Sequence, residues 1–242
     1  GAILPSVTTA QATLITAYSA SSGGEVTSDG GADVTVRGLC WGTGQNPTVS
    51  GSHQDQGSGI GNFIVNISGL TPGTTYYIRA YATNSIGINY GPELSFKTEP
   101  VCPTLTTATV TGIGSSSATG GGNVTSDGGA TVTIKGVCWS MNHNPTTLDN
   151  KTNNGSGTGS FTSSITGLSP GTTYYVRAYG TNSAGTCYGP EVEFKTLPVP
   201  PTVTTDAASL VTYNSATSGG NVTNEGGAPV TARGVCWSTS QN

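Results

Sequence analysis

The feature that most constrains this chain is an internal repeat with a period of 98 residues. A Cys-Trp pair that begins at Cys40 recurs at Cys138 and Cys236, and the first two copies align without a gap. A chain that repeats one supersecondary unit in this way folds as an array of similar modules. We therefore predict complete modules over residues 1–102 and 103–200, followed by a partial module over 201–242 that covers only its first three strands.

Composition narrows the fold class and the range of partners. Charged residues make up only 8% of the chain, against about 25% in an ordinary globular protein, yet apolar residues alternate with polar ones as they do in strands. The eight lysines and arginines form no basic stripe, so we do not expect nucleic acid as a partner. The chain contains no run of 18 apolar residues, so we do not expect membrane insertion. Since the chain lacks an initial Met and a signal peptide, we expect a mature or excised piece of a longer protein.

The second copy shows the strand pattern most clearly. A strand rich in β-branched residues is predicted over 131–140, and another over 174–179 alternates between two faces. A last strand is predicted over 188–196. Turn signals such as Ser-Asp-Gly-Gly at 126–129 recur about every 8–12 residues without any helical period. These features predict an all-β fold of tandem antiparallel β-sandwiches with seven strands each.

Two short segments carry a resemblance to a known family. Residues 70–76 read Leu-Thr-Pro-Gly-Thr-Thr-Tyr, and residues 168–174 read Leu-Ser-Pro-Gly-Thr-Thr-Tyr. They resemble the E–F corner of fibronectin type III domains, which implies a fibronectin type III or Ig-like sandwich in which the hydroxyls of Tyr76 and Tyr174 bond back to the chain. The full pattern also resembles tandem modules of large secreted and cell-surface proteins of Bacteroidota, which implies an extracellular or cell-surface location.

The tryptophans depart from that family pattern. The family usually carries a tryptophan on its second strand, whereas the corresponding stretch here is rich in glycine. The large aromatic lies instead on the third predicted strand, and we expect a core aromatic at Trp41, Trp139 and Trp237.

The five cysteines fall into two groups. Cys102 and Cys187 occur only in the second copy. A fibronectin-like sandwich would place both positions at the same pole, so we expect a disulfide between them, which fits an oxidising extracellular compartment. The three cysteines that recur with the repeat are expected to be small buried thiols, and the alternative is a reactive surface thiol.

Residues suited to catalysis or metal binding are sparse. His53 and His143 lie at non-equivalent repeat positions, so neither fits a repeated catalytic site. The repeated acidic position, Asp29 in the first copy, supplies one carboxylate, whereas calcium needs six to eight oxygen ligands. A turn residue that bonds its own backbone is the favoured interpretation. We expect neither an enzyme nor a cofactor.

A stripe of rings and guanidinium groups is the one candidate binding surface. We expect its residues to face outward on the strand that follows each corner, at Tyr77, Arg79, Tyr81, Tyr175, Arg177 and Tyr179. Such a stripe can stack on sugar rings or on a neighbouring chain, and cross-strand aromatic pairs can equally serve to stabilise the sheet.

Proline-rich joints at 97–103 and 195–201 are semi-rigid and predict a stiff rod of modules. The leading functional hypothesis is a structural or adhesive array on a bacterial surface, with neighbouring repeats, copies of itself or surface glycans as partners. One alternative is a set of spacer or carbohydrate-binding modules in a secreted polysaccharide-degrading enzyme. Another is a filament subunit whose incomplete third copy is completed by strands of a neighbouring chain.

Overall fold

A computed structural model describes residues 1–240, and every regular element in this part of the chain is a β-strand. The chain divides into two compact units. The first unit comprises Gly1–Pro103 together with Ser126–Thr131 and Asn182–Gly185, and the second comprises the remainder. No helix within residues 1–240 has the length and apolar character that a membrane crossing requires.

The first repeat forms two antiparallel sheets. Its strands are β1 (Ser6–Thr13), β2 (Ser19–Ser28), β3 (Val36–Gly42), β4 (Ser52–Asp55), β5 (Gly61–Ser68), β6 (Thr75–Asn84), β7 (Gly87–Tyr90) and β8 (Leu94–Lys97). One sheet has the order β1-β2-β5, and the other has the order β4-β3-β6-β7 with β8 also paired to β6. Alternate residues of β5 and β6, such as Val65 and Ile78, meet in one apolar cluster between the two sheets.

The second repeat follows the same plan. Its strands are β9 (Thr104–Thr107), β10 (Ser117–Ser126), β11 (Ile134–Ser140), β12 (Asn150–Lys151), β13 (Gly159–Thr166), β14 (Thr173–Asn182), β15 (Gly185–Tyr188) and β16 (Val192–Lys195). The sheet orders are β13-β10-β9 and β12-β11-β14-β15, with β16 also paired to β14. Val137 and Val176, which are fully buried, pack in one core cluster between them.

The all-β antiparallel prediction is confirmed, while the strand boundaries differ from the expected pattern. Each complete repeat contains eight strand segments, because a short strand (β4 or β12) lies at the outer edge of β3 or β11. The single last strand predicted over 188–196 is divided, since β15 ends at Tyr188 and β16 begins at Val192. Pro190 lies in the gap, where its missing N–H cannot join a ladder.

The glycine-rich second strand explains why no tryptophan occupies it. A Cβ added to Gly24 would lie 2.2 Å from the carbonyl oxygen of Thr8 and 2.7 Å from the Cβ of Ala80 in the opposite sheet. A Cβ added to Gly122 would be equally enclosed, 2.6 Å from the Cβ of Ala178. Glycine therefore lets the two sheets approach closely at this point, and any side chain there would force them apart.

The third copy forms fewer strands than predicted. Within residues 201–240 only β17 (Thr202–Thr205) and β18 (Gly220–Asn224) are present, and they pair with each other. The third strand expected in this copy does not form, and residues 230–238 lie outside any strand. In the complete repeats that strand is held between two neighbours, and residues 201–240 supply neither of them.

Candidate functional sites

The corner tyrosines are buried and bond back to the chain. The Tyr76 hydroxyl accepts a hydrogen bond from the Thr71 N–H at 3.0 Å, and the Tyr174 hydroxyl accepts one from the Ser169 N–H at 3.0 Å. Each ring stacks on a phenylalanine of the paired strand, with 5.9 Å between the ring centroids of Tyr76 and Phe96. The corner thus fixes how the chain passes from β5 to β6 and from β13 to β14.

The repeated acidic turn uses its carboxylate internally. Asp29 Oδ1 accepts the Gly31 N–H at 2.8 Å, and Asp127 Oδ1 accepts the Gly129 N–H at 2.9 Å. Both contacts are side-chain turns of the kind that Asp favours. Within residues 1–240, no three His, Cys, Asp or Glu side chains are arranged to hold a metal ion.

The residues just before the first strand of each copy are tied to that copy's acidic turn by one backbone hydrogen bond. The three bonds are equivalent and 2.8 Å long, from Ile3 N–H to Gly30 O, from Val101 N–H to Gly128 O, and from Val199 N–H to Gly226 O. They depend on the backbone alone. The same attachment therefore recurs three times, whatever side chains occupy the segment.

A buried asparagine clamps the same two segments together. Asn84 Nδ2 donates to the carbonyl oxygens of Ile3 and Asp29 at 2.7 and 2.8 Å. Asn182 Nδ2 donates to Val101 O and Asp127 O, both at 2.7 Å. Both asparagines are about 95% buried, and each Nδ2 serves this contact while each Oδ1 accepts an N–H of the turn that follows. Sequence reasoning missed them, although the Asn-Ser dipeptide recurs at the same repeat position in the first two copies.

The Pro-Gly corner of one copy packs against the Gly-Gly turn of the next, and we call this contact the joint. In the first unit, a Cβ added to Gly73 would lie 1.9 Å from Gly129 O, and a Cβ added to Gly129 would lie 2.4 Å from Pro72 O. In the second unit, a Cβ on Gly171 would lie 2.0 Å from Gly227 O. Since the two backbones touch, only glycine fits at these positions.

The predicted binding stripe is only partly exposed. The Arg79 guanidinium lies over the Tyr90 ring, 4.6 Å from its centroid, and Arg79 Nε donates to Gly91 O at 3.2 Å. Arg177 repeats the arrangement over Tyr188 at 4.7 Å. Tyr77 and Tyr175 are half-buried beside these arginines.

Tyr81 and Tyr179 do not belong to an exposed stripe, which corrects the expectation for these two residues. They are 1% and 2% exposed, because the segments around β4 and β12 cover this face. The Tyr81 hydroxyl donates to Asp55, and the Tyr179 hydroxyl donates to Thr152 O at 2.5 Å. Burial raises the pKa of both phenols. The accessible stripe is reduced to Tyr77 and Arg79 in the first copy and Tyr175 and Arg177 in the second.

The second copy carries a ring and charge cluster that the first lacks. His143 Nδ1 lies 2.7 Å from Glu191 Oε1, and the His143 ring packs at a tilt of 33° on Tyr175 with centroids 3.8 Å apart. Although burial acts to raise the pKa of Glu191, hydrogen bonds from Asn144 N–H and His143 outweigh it and lower that pKa. Gln45 occupies the equivalent position in the first copy. Sequence reasoning missed this glutamate, although the Tyr-Gly-Pro-Glu motif that contains it recurs in both complete copies.

The cysteines fall into three states, and the exposure of Cys236 corrects the expectation that all three repeated thiols are buried. Cys102 and Cys187 are both disulfide-bonded. Cys40 and Cys138 are free and fully buried, and burial raises the pKa of their thiols to about 12 and about 11. Cys236 is free but exposed, in contrast to its two equivalents.

The three tryptophans also differ. Trp139 is 7% exposed in the core of the second copy, and Trp41 is half-buried against the core of the first. Trp237 is 90% exposed, which corrects the expectation of a core aromatic there. Trp237 lacks the neighbouring strand beside which Trp139 packs, since β11 pairs with β14 and residues 201–240 contain no equivalent of β14.

Comparisons with known proteins add no family assignment. No protein-family model matches the chain, and no curated protein is detectably similar to it.

Proposed function

We propose that this protein is a non-catalytic extracellular repeat array with a structural or adhesive role, built from fibronectin type III-like modules. The observation that carries the proposal is the joint. Its Pro-Gly and Gly-Gly elements recur with the period of the repeat, and the same close backbone contact follows both complete copies.

A joint of this kind suits an array because it depends little on side chains. The contact consists of backbone atoms and is accompanied by the bonds from Val101 to Gly128 and from Val199 to Gly226. Each such hydrogen bond contributes about 0.5–1.5 kcal/mol. Any copy that carries the corner can therefore be followed by any copy that carries the turn, so length can change without redesign of the contact.

Further observations support the location and the module type. The disulfide-bonded Cys102 and Cys187 fit an oxidising compartment, and the hydroxyl contacts of Tyr76 and Tyr174 fit a fibronectin-like corner. The glycan-binding alternative rested on an exposed stripe, and burial of Tyr81 and Tyr179 shortens that stripe. We therefore favour a scaffold over a carbohydrate-binding role.

The joint is tested by a matched pair of variants. Gly31 and Gly129 occupy the same repeat position with φ of +81° and +86°, yet the nearest atom to a Cβ on Gly31 is Ala2 Cα at 3.8 Å. Alanine at either position suffers the same strain of about 1 kcal/mol from its positive φ. Only Gly129→Ala adds a clash with the corner of the preceding copy. We expect Gly129→Ala to speed hydrogen exchange at the Val101 amide about tenfold or more.

Gly31→Ala is the control, read at the equivalent Ile3 amide. Trypsin cleavage after Lys97 gives a second readout, which Gly129→Ala should accelerate and Gly31→Ala should leave unchanged. If both variants change exchange and cleavage equally, the joint contributes nothing beyond local turn geometry and the array proposal loses its support.

A further inference from the structure

The first repeat exposes an apolar residue at a sheet edge where the second repeat exposes a polar one. β5 ends the sheet β1-β2-β5, and Ile64 near its middle is 67% exposed. Thr162 of β13 holds the equivalent position in the second repeat and is also exposed. Residues 56–75, which include all of β5, carry no charged side chain. β5 is therefore an uncharged, partly apolar edge of the kind that proteins usually protect.

The register shows that the backbone of β5 at Ile64 faces away from β2. Ile64 lies opposite Gly23. In the second repeat, Thr162 lies opposite Gly121 in the same way, and the Gly121 carbonyl oxygen accepts the Ala108 N–H on the side away from β13. In an antiparallel ladder, the two residues of such a pair both point their N–H and C=O groups away from each other. The same groups of Ile64 therefore face the free edge of the sheet.

A side chain covers this edge in the second repeat and not in the first. Asn154 Nδ2 donates to the Thr162 carbonyl oxygen at 2.7 Å, which occupies the acceptor that a further strand would use. Gln56 is the equivalent residue in the first repeat. It is exposed, and its Oε1 accepts a bond from Gln54 at 3.5 Å. Within residues 1–240 the Ile64 carbonyl oxygen receives no corresponding side-chain bond.

The opposite edge of the same sheet is irregular. β1 pairs with β2 through register shifts between Ser6 and Val7 and between Ala10 and Thr13. β5 pairs with β2 over its full length without a shift. Because bulges twist an edge away from a further strand, pairing through this sheet is expected at β5 rather than at β1.

We propose that β5 pairs antiparallel with β5 of a second chain, so that two sheets join across a two-fold axis at Ile64. This register opposes Ile64 with its counterpart and Asn62 with Asn66 of the partner subunit. Since alternate residues of a strand point the same way, Asn62 and Asn66 also direct their N–H and C=O groups to the edge. All three positions then form hydrogen-bonded pairs.

The occupant is a second chain because β5 is complementary to itself in this register. The outward residues Asn62, Ile64 and Asn66 read the same in both directions, so isoleucine meets isoleucine and asparagine amides meet each other. A two-fold contact sets a strand against itself, and the absence of charge from β5 removes the repulsion that this would otherwise cause. The contact would join arrays side by side, and it does not rest on the proposed joint.

Association of the intact chain tests the proposal. We expect sedimentation equilibrium to show monomers and dimers in exchange between about 1 μM and 1 mM, the range of a small transient interface. Ile64→Lys places two lysines opposite each other at the axis and should raise the dissociation constant about tenfold or more. Thr162→Lys, at the equivalent exposed position of β13, is the matched control and should leave it unchanged. Urea unfolding checks that both variants remain folded.

Hydrogen exchange of the unsubstituted chain tests the register. The amides of Asn62, Ile64 and Asn66 should exchange about tenfold more slowly when about nine-tenths of the chains are dimeric, since only the monomer exposes them. The amides of Phe63 and Val65 face β2 in the monomer and should show no dependence on concentration. Equivalent amides of β13 should also show none.

A chain that stays monomeric up to about 1 mM would overturn the proposal. So would association that Ile64→Lys leaves unchanged or that Thr162→Lys removes, because another surface or β13 would then make the contact. Slow exchange of Ile64 at every concentration would contradict it as well, since a segment of the same chain would then cover the edge. These readouts lie in β5, whereas the joint is read at Val101, so failure of one is distinguishable from failure of the other.

Discussion

Two segments of nearly the same sequence take different structures in this protein. Residues 135–140 read Lys-Gly-Val-Cys-Trp-Ser and lie within strand β11, whereas residues 233–238 read Arg-Gly-Val-Cys-Trp-Ser and form no strand. β11 is paired with β12 on one side and β14 on the other. Strand propensity is thus insufficient here, because what stabilises a strand is its pairing and the burial of one face.

The burial of the side chains differs between the two segments in the same way. Val137 and Cys138 are fully buried, while Val235 is 41% exposed and Cys236 is exposed. Full burial of a valine side chain contributes about 1.5–3 kcal/mol. Residues 233–238 forgo this contribution, so the backbone has little to offset the entropy lost on ordering it.

The largest expected contrast is between the two tryptophans. Trp139→Ala should destabilise the second copy by about 3–5 kcal/mol, because it removes a large side chain from a packed core. Trp237→Ala should change stability by less than about 0.5 kcal/mol, as for an exposed residue. Urea unfolding measures the destabilisation by Trp139→Ala, and hydrogen exchange of the β14 amides locates it in the second copy. Equal losses from the two substitutions would mean that Trp237 is packed in solution.

The corner is expected to matter next, because it positions the strand that β11 needs. Tyr174→Phe keeps the stacked ring and removes only the hydroxyl that accepts the Ser169 N–H. Leaving the Ser169 N–H buried without an acceptor should lower the free energy of unfolding by about 1–3 kcal/mol. Tyr213→Phe, at a residue that is 99% exposed, is the control and should be neutral in the same urea titration. If Tyr174→Phe leaves the free energy of unfolding unchanged, the corner hydroxyl does not stabilise the second copy.

Alkaline pH should distinguish the buried thiol of Cys138 from the exposed thiol of Cys236. Burial raises the pKa of Cys138 to about 11 from an ordinary value of 9.0. Between these pH values the unfolded chain releases a proton that the folded chain retains, so the free energy of unfolding falls as pH rises through this window. Cys138→Ala should flatten that slope over pH 9 to 11, and Cys236→Ala should leave it unchanged. Parallel slopes for all three proteins would contradict the burial argument.

The smallest effect is expected where Glu191 holds the turn after β11. Its carboxylate accepts the Asn144 N–H and contacts His143. Since the folded state lowers its pKa, the resulting stability is present above the usual carboxylate pKa and is lost as pH falls through the lowered value. The pair lies near the surface, so Glu191→Gln should cost less than about 1 kcal/mol in neutral solution. Thermal unfolding should show the difference between the two proteins narrowing in acid.

Much of the fold followed from local patterns. The repeat period, the turns and the alternation of β14 predicted antiparallel sheets, because pattern period and turn chemistry are properties of neighbouring residues. The burial of Tyr174, Val176 and Ala178 on one face agrees with that alternation. The opposite face was misassigned at Tyr179, since an edge strand covers it, and nothing in the two-residue Asn150–Lys151 strand indicates where it will lie.

The candidate sites also combine motifs that the sequence reveals with contacts that only the tertiary structure reveals. The Pro-Gly and Gly-Gly motifs recur with the repeat and are recognisable as turns, but only the tertiary structure shows their contact because Gly73 and Gly129 are far apart in sequence. The asparagine clamps were likewise missed. An isolated Asn looks like a turn residue until its buried position and the carbonyl oxygens that it serves are known.

The sequence by itself determined the period, the strand-forming alternation, the turns and which cysteines stand outside the repeat, since each depends on residues close together in the chain. Only the tertiary structure decided which equivalent residues are core and which are surface. Trp139 and Trp237 share their neighbours in sequence but not their partner strands. Burial is a property of what packs against a residue, and in this repeat the partners come from the half of the module that the third copy lacks within residues 201–240.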